Sequence, residues 1–315
     1  MISRRLLRIK ILQVLYAHYN TASSDIVKPA KDLLFSIQKA YDLYYYVLLL
    51  IVPVKRFAES RIELALNKKL PTFEDLHPNT RFIDNKVIQQ IENDAMFNKH
   101  VNDSKLSWVN HPELIKNLYT KMVESQYYKD YMERFEPDYA DDRQLLIDFF
   151  TTELYDNEMF YAILEEQSIF WNDDIEYVTG MVIKTIKDMR SDKLDLFPMY
   201  KSEDDREFAF SLLNSTILNY DEYHKLIDGH VDNWDIERVA YIDNLVLQMA
   251  INELVKFPTI PVKVTFDEYL ELAKYYSTPK SSVFINGLLD TLLEELTLQG
   301  KIVKTETEGS FKFQV

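Results

Sequence analysis

The chain has no cysteine, and only 5 of its 315 residues are glycine. Without cysteine there can be no disulfide, Fe–S cluster, cysteine-based zinc site or thiol nucleophile. Such a chain suits a reducing, cytoplasmic compartment. The glycines are Gly180, Gly229, Gly287, Gly300 and Gly309, too scattered for a G-x-G-x-x-G turn or a Walker loop. Both motifs need the backbone to approach phosphates at several glycines, so dinucleotide and P-loop nucleotide binding are excluded. Proline is also modest, at 10 residues, and long helices are favoured over many turns. Long apolar runs are missing as well. The longest, Leu43 to Val54, is interrupted by Pro53 and bounded by Asp42 and Lys55. A membrane span needs about 20 residues, so this run reads as a buried helix. Arg8 and Lys10 break any secretory apolar core at the start, and a presequence is not expected.

What is present is acid, aromatic side chains and a helical pattern. The net charge is −15, which argues against a strongly basic field over the whole chain. The distribution is uneven. Residues 130–176 hold 15 acids against Arg134 and Arg143, a net of −13. The plainer reading of this block is a solvated helical face; the sharper one is a docking or screening surface. Residues 1–20 carry Arg4, Arg5, Arg8 and Lys10 and no acid. Three arginines on the first two turns of a helix make a compact phosphate site, because guanidinium groups bind phosphate bidentately and helix starts add N–H donors. On charge alone, a solvated helix start explains them equally well. The 21 Tyr, 18 Phe and 3 Trp could stack on bases, but helix packing accounts for most of them.

Periodicity predicts a helix over 3–19, with Arg4 and Arg8 on one face, Lys10 pointing elsewhere, and Leu7, Ile11, Val14 and Leu15 apolar. It predicts a helix pair over 30–68 broken near Pro53. Further helices are expected over 84–100, 112–134, 142–167, 173–190, 205–219, 221–229 and 235–256. Phe257–Pro261 must be a connection. Thr265 and Glu268 have the spacing of a capping box ahead of Tyr269–Tyr276. Thr278–Pro279 reads as an N-cap and first helical residue for a helix reaching about Leu298. Residues 301–313 read as a small hairpin or a tail. Asp221 and His224 share a helical turn near Asp228 and His230, yet no matching pair stands on another helix, so no metal is expected. No nucleophile elbow or kinase motif occurs, so neither an enzyme nor a cofactor is expected.

Two segments carry a family resemblance. Arg4, Arg5, Arg8, Lys10, Gln13, Leu15, Tyr16 and Ala17, in this spacing, resemble the opening helix of the NusB transcription antitermination factors. From Trp234 to Asp290 the chain resembles that family's C-terminal part. The matching positions include Arg238, Asp243, Ala250, Glu253, Pro261, Glu268, Ala273, Phe284, Asn286, Gly287 and Asp290. The resemblance covers roughly 1–20 and 205–300. It implies an all-α fold of two small helical bundles without enzymatic activity. It also implies pairing with a small-subunit ribosomal protein (NusE) on single-stranded box A-like RNA, and indirect association with elongating RNA polymerase on ribosomal RNA operons. By resemblance, Arg4, Arg5, Arg8, Lys280 and Ser281 would touch RNA, and Tyr16 and Glu253 would meet the ribosomal protein. Asp267 stands where the family usually has Asn, and Pro279–Lys280 occupy a loop often acidic in relatives, which makes that loop friendlier to phosphate.

The middle departs from the family. Residues 21–204, containing the acidic block, are expected to form a helical insertion into a domain made of 1–20 and 205–300, with 301–315 as a tail. Either residues 30–68 or residues 205–232 complete the first bundle; the second is preferred because 205–232 leads into Trp234 without a gap. Two other functions stand beside antitermination. One is a protein-only scaffold whose acidic insertion docks a basic partner. The other is an RNA-modifying enzyme with an accessory RNA-binding domain, against which the missing glycine loop and cysteine weigh.

Overall fold

The computed structural model describes residues 1–21, 27–136, 138–231 and 241–305. Among these residues the chain forms α-helices and no strand, so the expected all-α class holds. The segment 232–240, with Trp234 and Arg238, lies outside the described residues, as does the part of the expected tail hairpin beyond residue 305. Two compact units are present. Unit 1 comprises Met1 and Gln38–Met199; unit 2 comprises Ile2–Ile37 and Tyr200–Val315. The divisions fall at 37/38 and 199/200, whereas the sequence placed them at 20/21 and 204/205.

Unit 2 contains α1 (Arg4–Asn20), the start of α2 (Lys28–Leu49), α12 (Glu203–Leu218), α13 (Tyr220–Val231), α14 (Tyr241–Lys256), α15 (Val262–Tyr276) and α16 (Ser281–Leu298). Its axis is α14, where every residue from Asp243 to Leu254 is buried. A helix apolar or satisfied all round must sit inside a bundle, and α1, α12, α13, α15 and α16 all pack on it. Lys304 caps its end, donating from Nζ to the carbonyl of Phe257 at 3.0 Å. Burial lowers the Lys304 ammonium to about 8. The end of α16 is set by Gly300 at φ 67, where Gly300 N–H donates to Thr297 O and Lys301 N–H to Leu296 O. This is the paired closure that a left-handed glycine permits.

Unit 1 contains the rest of α2, then α3 (Ile51–Leu66), α4 (Phe73–Leu76), α5 (Lys86–Asn93), α6 (Ala95–Asp103), α7 (Pro112–Glu124), α8 (Gln126–Glu133), α9 (Tyr139–Thr152), α10 (Glu158–Gln167) and α11 (Ile175–Asp188). Its core is aromatic. Tyr46 stacks on Trp108 at 3.9 Å, and the Trp108 indole N–H donates to the Tyr46 carbonyl. Tyr44 bonds Thr185 at 2.6 Å, tying α2 to α11. The acidic block is not wholly solvated. Asp142 is buried, accepting from Lys86 N–H at 2.8 Å and from the Tyr131 hydroxyl at 2.7 Å. Glu153 is buried and accepts from the Tyr127 hydroxyl at 2.8 Å.

Three expected long helices are each two. Asp94 ends α5 and caps α6, accepting from Phe97 N–H at 2.7 Å. Ser125 ends α7 and caps α8 in the same way. Asn157 opens α10 after a break that begins at Glu153. Short polar side chains offer the backbone this alternative to a continuous helix. The break before Pro53 comes three residues earlier, at Leu50, because proline is tolerated in a first helical turn. The expected capping box at Thr265 does not form. Helix α15 starts at Val262, and Thr265 is buried inside it. Nor is Thr278 the N-cap of α16; Thr278–Lys280 form a turn, and Ser281 N–H donates to the Thr278 carbonyl at 2.9 Å.

Burial pushes the Glu153 carboxyl above the ordinary value of 4.5, against the opposing hydrogen bond from Tyr127. Between those two values the folded chain holds more protons than the unfolded chain, so this group's contribution falls as pH rises through that window. Glu153→Gln keeps an oxygen for Tyr127 and removes the charge. Urea midpoints followed from acid to neutral pH should fall less with rising pH in the variant; identical slopes would refute this role for Glu153.

Candidate functional site

The candidate site is the start of α1 and the helices of unit 2 that hold it. Ser3 caps α1, accepting from Leu6 N–H at 3.3 Å. Arg4 and Arg8, four residues apart, share a face. Their guanidinium carbons lie 5.0 and 5.1 Å from the ring centre of Phe208 on α12, at cation–π distance. Each arginine of the head meets an acid. Arg4 Nε donates to Asp205 Oδ1 at 2.7 Å. Arg5 donates through Nε and Nη2 to both oxygens of Glu268, at 2.9 Å each. Arg8 donates through Nε and Nη2 to both oxygens of Glu253, at 2.8 Å each. Its Nη1 also lies 3.6 Å from Glu268.

Glu253 is the centre of this network. It additionally accepts from the Thr265 hydroxyl at 2.9 Å and from the Tyr269 hydroxyl at 3.0 Å. Its side chain is 0% exposed and that of Arg8 is 2% exposed. Burial alone would lower the Arg8 pKa, but the hydrogen bond to Glu253 and the surrounding negative charge leave it raised. Burial, followed by the Glu253 charge, pushes the Tyr269 phenol well above its usual range. Arg5 is raised chiefly by its hydrogen bond to Glu268. Lys10, expected to point elsewhere than Arg4 and Arg8, is buried.

These positions reassign several expected contacts. Arg8 and Glu253, expected to touch RNA and the ribosomal protein, are both enclosed and bonded to each other. Neither presents a surface in this conformation, because a buried charge keeps its partner or pays a large desolvation penalty. Ser281 is also buried; its hydroxyl donates to Asp243 Oδ2 at 2.8 Å and holds the start of α16 to α14. The residues left at the surface are Arg4, Arg5 (52% exposed), Lys280 and Tyr16 (45% exposed). Tyr16 meets the ring of Tyr241 edge-on at 5.8 Å. Of the acids that hold the head, Asp205 is not singled out by the sequence, and Glu268 stands there as a capping-box and family position, not as the partner of Arg5. They lie 201 and 263 residues from their arginines, and no local spacing announces such a pair.

His224 and His230 diverge. His224 lies 3.6 Å from Asp228 and 3.1 Å from the Asn244 amide, and His230 pairs with Glu295 at 2.7 Å. Among the described residues no group of three His, Cys, Asp or Glu could hold a metal. Among them, too, no helix is long and apolar enough to cross a membrane.

The described residues of unit 2 form an all-α bundle around the buried helix α14, with the basic head of α1 paired to acids of α12, α14 and α15. The comparisons give the family. The NusB family profile matches residues 172–294. A transcription antitermination protein NusB of Salinibacter ruber is 44% identical over 108 residues, covering 34% of this chain and 68% of that protein. Its namesake from Chloroherpeton thalassium is 39% identical over 100 residues, covering 32% of this chain and 47% of that protein. In Thermodesulfovibrio yellowstonii the corresponding protein is 40% identical over 95 residues, covering 30% and 63%. No solved structure matches. The chain belongs to the NusB family, a family of non-enzymatic transcription antitermination factors. It spans between about half and two thirds of the length of these relatives.

The Arg8–Glu253 pair predicts a strong mutational signature. Arg8→Ala strands a buried carboxylate and should cost about 3–5 kcal/mol in urea unfolding. Replacing both members, Arg8→Met with Glu253→Leu, should recover much of that loss. A loss under about 1 kcal/mol for Arg8→Ala would show that the pair does not hold α1 in place.

Proposed function

We propose that the protein is an RNA-binding transcription antitermination factor of the cytoplasm. It pairs with a small-subunit ribosomal protein (NusE) on single-stranded box A-like RNA and promotes ribosomal RNA transcription by suppressing termination. Association with RNA polymerase is indirect. The observation that carries this reading is that the matched segment, 172–294, includes Asp205, Glu253 and Glu268, the three acids that hold the arginines of α1. Arg4, Arg5 and Lys280 supply phosphate contacts, which position RNA without reading its sequence. Tyr16 supplies an aromatic edge to the protein partner. Arg8, Glu253 and Ser281 act from inside, by fixing α1 and the start of α16.

A second reading has its own observation. Arg4 and Arg5 are already paired with acids, which favours a protein-only scaffold whose acidic helices in 130–176 dock a basic partner. One titration separates the two. Binding to a short box A-like RNA is measured across a salt series, with and without the ribosomal protein. Each single-stranded phosphate contact contributes about −0.7 to the log–log slope, so Arg5→Ala and Lys280→Ala should each flatten it by about that amount. Glu268→Gln releases Arg5 and should tighten RNA at low salt. A chain that holds the ribosomal protein but ignores RNA in every variant is the scaffold.

A further inference from the structure

Helix α10 of unit 1 is covered on one side only. Its inner side is pinned: Phe160 and Leu164 are buried, and the Phe160 ring lies 6.4 Å from that of Trp108. At its end Gln167 Nε2 donates to the Tyr46 hydroxyl and to His111 Nε2, each at 2.8 Å. The outer side is exposed and carries Met159, Ala162 and Glu166, at the three- and four-residue spacing that keeps side chains on one helical face. Exposed Tyr155 precedes this stripe and exposed Ile169 follows it. A helix anchored in this way needs no ordering when a partner lands on its free side.

The charge on this face has one sign. Between Arg143 and Lys184 the chain has no Lys or Arg. Glu158, in the first turn of α10, sits where the helix dipole favours an acid. Glu165 and Glu166 sit in the last turn, where the partial negative charge of the helix end disfavours an acid and favours a cation. Both are exposed, and neither has an ion pair among the described residues. Burial, followed by the charges of Glu176 and Asp156, pushes the Tyr161 phenol up, so the negative field reaches the start of α11. The fold does not offset two acids at the negative end of a helix; a cation from outside does. The same field repels RNA and anionic lipid. The carboxylates are spread along the helix, and among the described residues no three His, Cys, Asp or Glu could hold a metal ion. Apolar side chains set among the acids call for a partner with apolar side chains of its own, which a small polycation lacks.

We propose that the outer face of α10 docks a basic amphipathic helix of another protein, whose apolar stripe lies on Met159 and its exposed neighbours Tyr155 and Ile169, and whose Lys or Arg side chains meet Glu165 and Glu166. The proposal rests on the basic partner of the second reading and confines it to one helix; it is independent of the RNA contacts of unit 2. The probe is a short fluorescent peptide of Leu and Lys patterned as an amphipathic helix, titrated with the full chain and followed by anisotropy. Saturable binding that weakens with salt is expected. Glu165→Gln with Glu166→Gln should weaken it about fivefold. The thermal melt of that variant should stay unchanged or rise, because the helix end loses two unfavourable charges. Met159→Ser should weaken the peptide about threefold. A peptide of the same composition without the amphipathic pattern should bind more weakly, and spermine should not displace the patterned one. Glu207→Gln with Glu294→Gln, which removes the same charge from exposed positions of unit 2, should change nothing.

The proposal is overturned if the α10 double variant binds like the parent, if the unit 2 variant weakens binding as much, or if the unpatterned peptide binds equally well. If binding survives both α10 variants but falls when the exposed α8 acids are neutralised by Asp130→Asn with Glu133→Gln, the basic partner of the second reading stands and α10 is not its seat. A chain that ignores the peptide altogether removes both.

Discussion

The bidentate bond between Arg8 and Glu253 is the constraint around which unit 2 is arranged. Glu253 sits on the buried axis helix α14, where an unpaired carboxylate would be prohibitively costly. It is made tolerable by four donors from two helices: two from Arg8 on α1, one each from Thr265 and Tyr269 on α15. That requirement fixes more than one charge. It sets the rotation of α1, because Arg8 must face α14. It sets the start of α15, because Thr265 must be inside the helix and not at its cap. It also orients the rest of the basic head, since Arg4 lies one turn before Arg8 and reaches Asp205, and Arg5 on the flank reaches Glu268.

This arrangement changes what a row of arginines means. Read as charge, the head offers four cations to phosphate. In the fold, Arg8 is inside, Lys10 is buried, and Arg4 and Arg5 already have carboxylate partners. Any phosphate that engages Arg5 competes with Glu268, whose attraction is weakened by exposure. On the proposed RNA reading, that competition would discriminate: a single non-specific phosphate gains little by displacing a bidentate carboxylate, while a strand making several contacts at once gains more. The exposed cation at Lys280 has no such competitor on its own turn, because residues 277–284 contain no acid.

The sequence made the helical class legible because its signals are local. Few glycines, few prolines and a 3.6-residue apolar period act over one or two turns, and the observed helices fall on the expected segments. The errors were local too, and they share a cause. Asp94, Ser125 and Asn157 look like ordinary polar-face residues, and only the fold shows that each turns back to cap a new helix. Thr265 and Ser281 are the converse, side chains of capping type spent on buried carboxylates. The site was legible only in part. Arg4, Arg5 and Arg8 could be placed on one helix, but which was buried depended on Asp205, Glu253 and Glu268, more than two hundred residues away in the chain. Periodicity carries no information over such distances. The resemblance marked Glu253 as important without showing that it faces inward.

The family match and the packing divide the chain at different places, and the difference is informative. The match begins at residue 172 and so includes α11, yet α11 packs on α9 within unit 1. Its buried residues Ile175, Val178, Val182 and Ile186 form one apolar stripe, and Thr185 on the same helix bonds Tyr44. A stripe of this kind cannot be left to water at a cost of about 1.5–3 kcal/mol per large side chain. The helices of 38–171 are therefore not an appendage that could be trimmed back to the family boundary. They build an aromatic core of their own and complete a helix that belongs, by sequence, to the family segment. An insertion that covers a family helix is kept by packing, whatever its acidic surface binds.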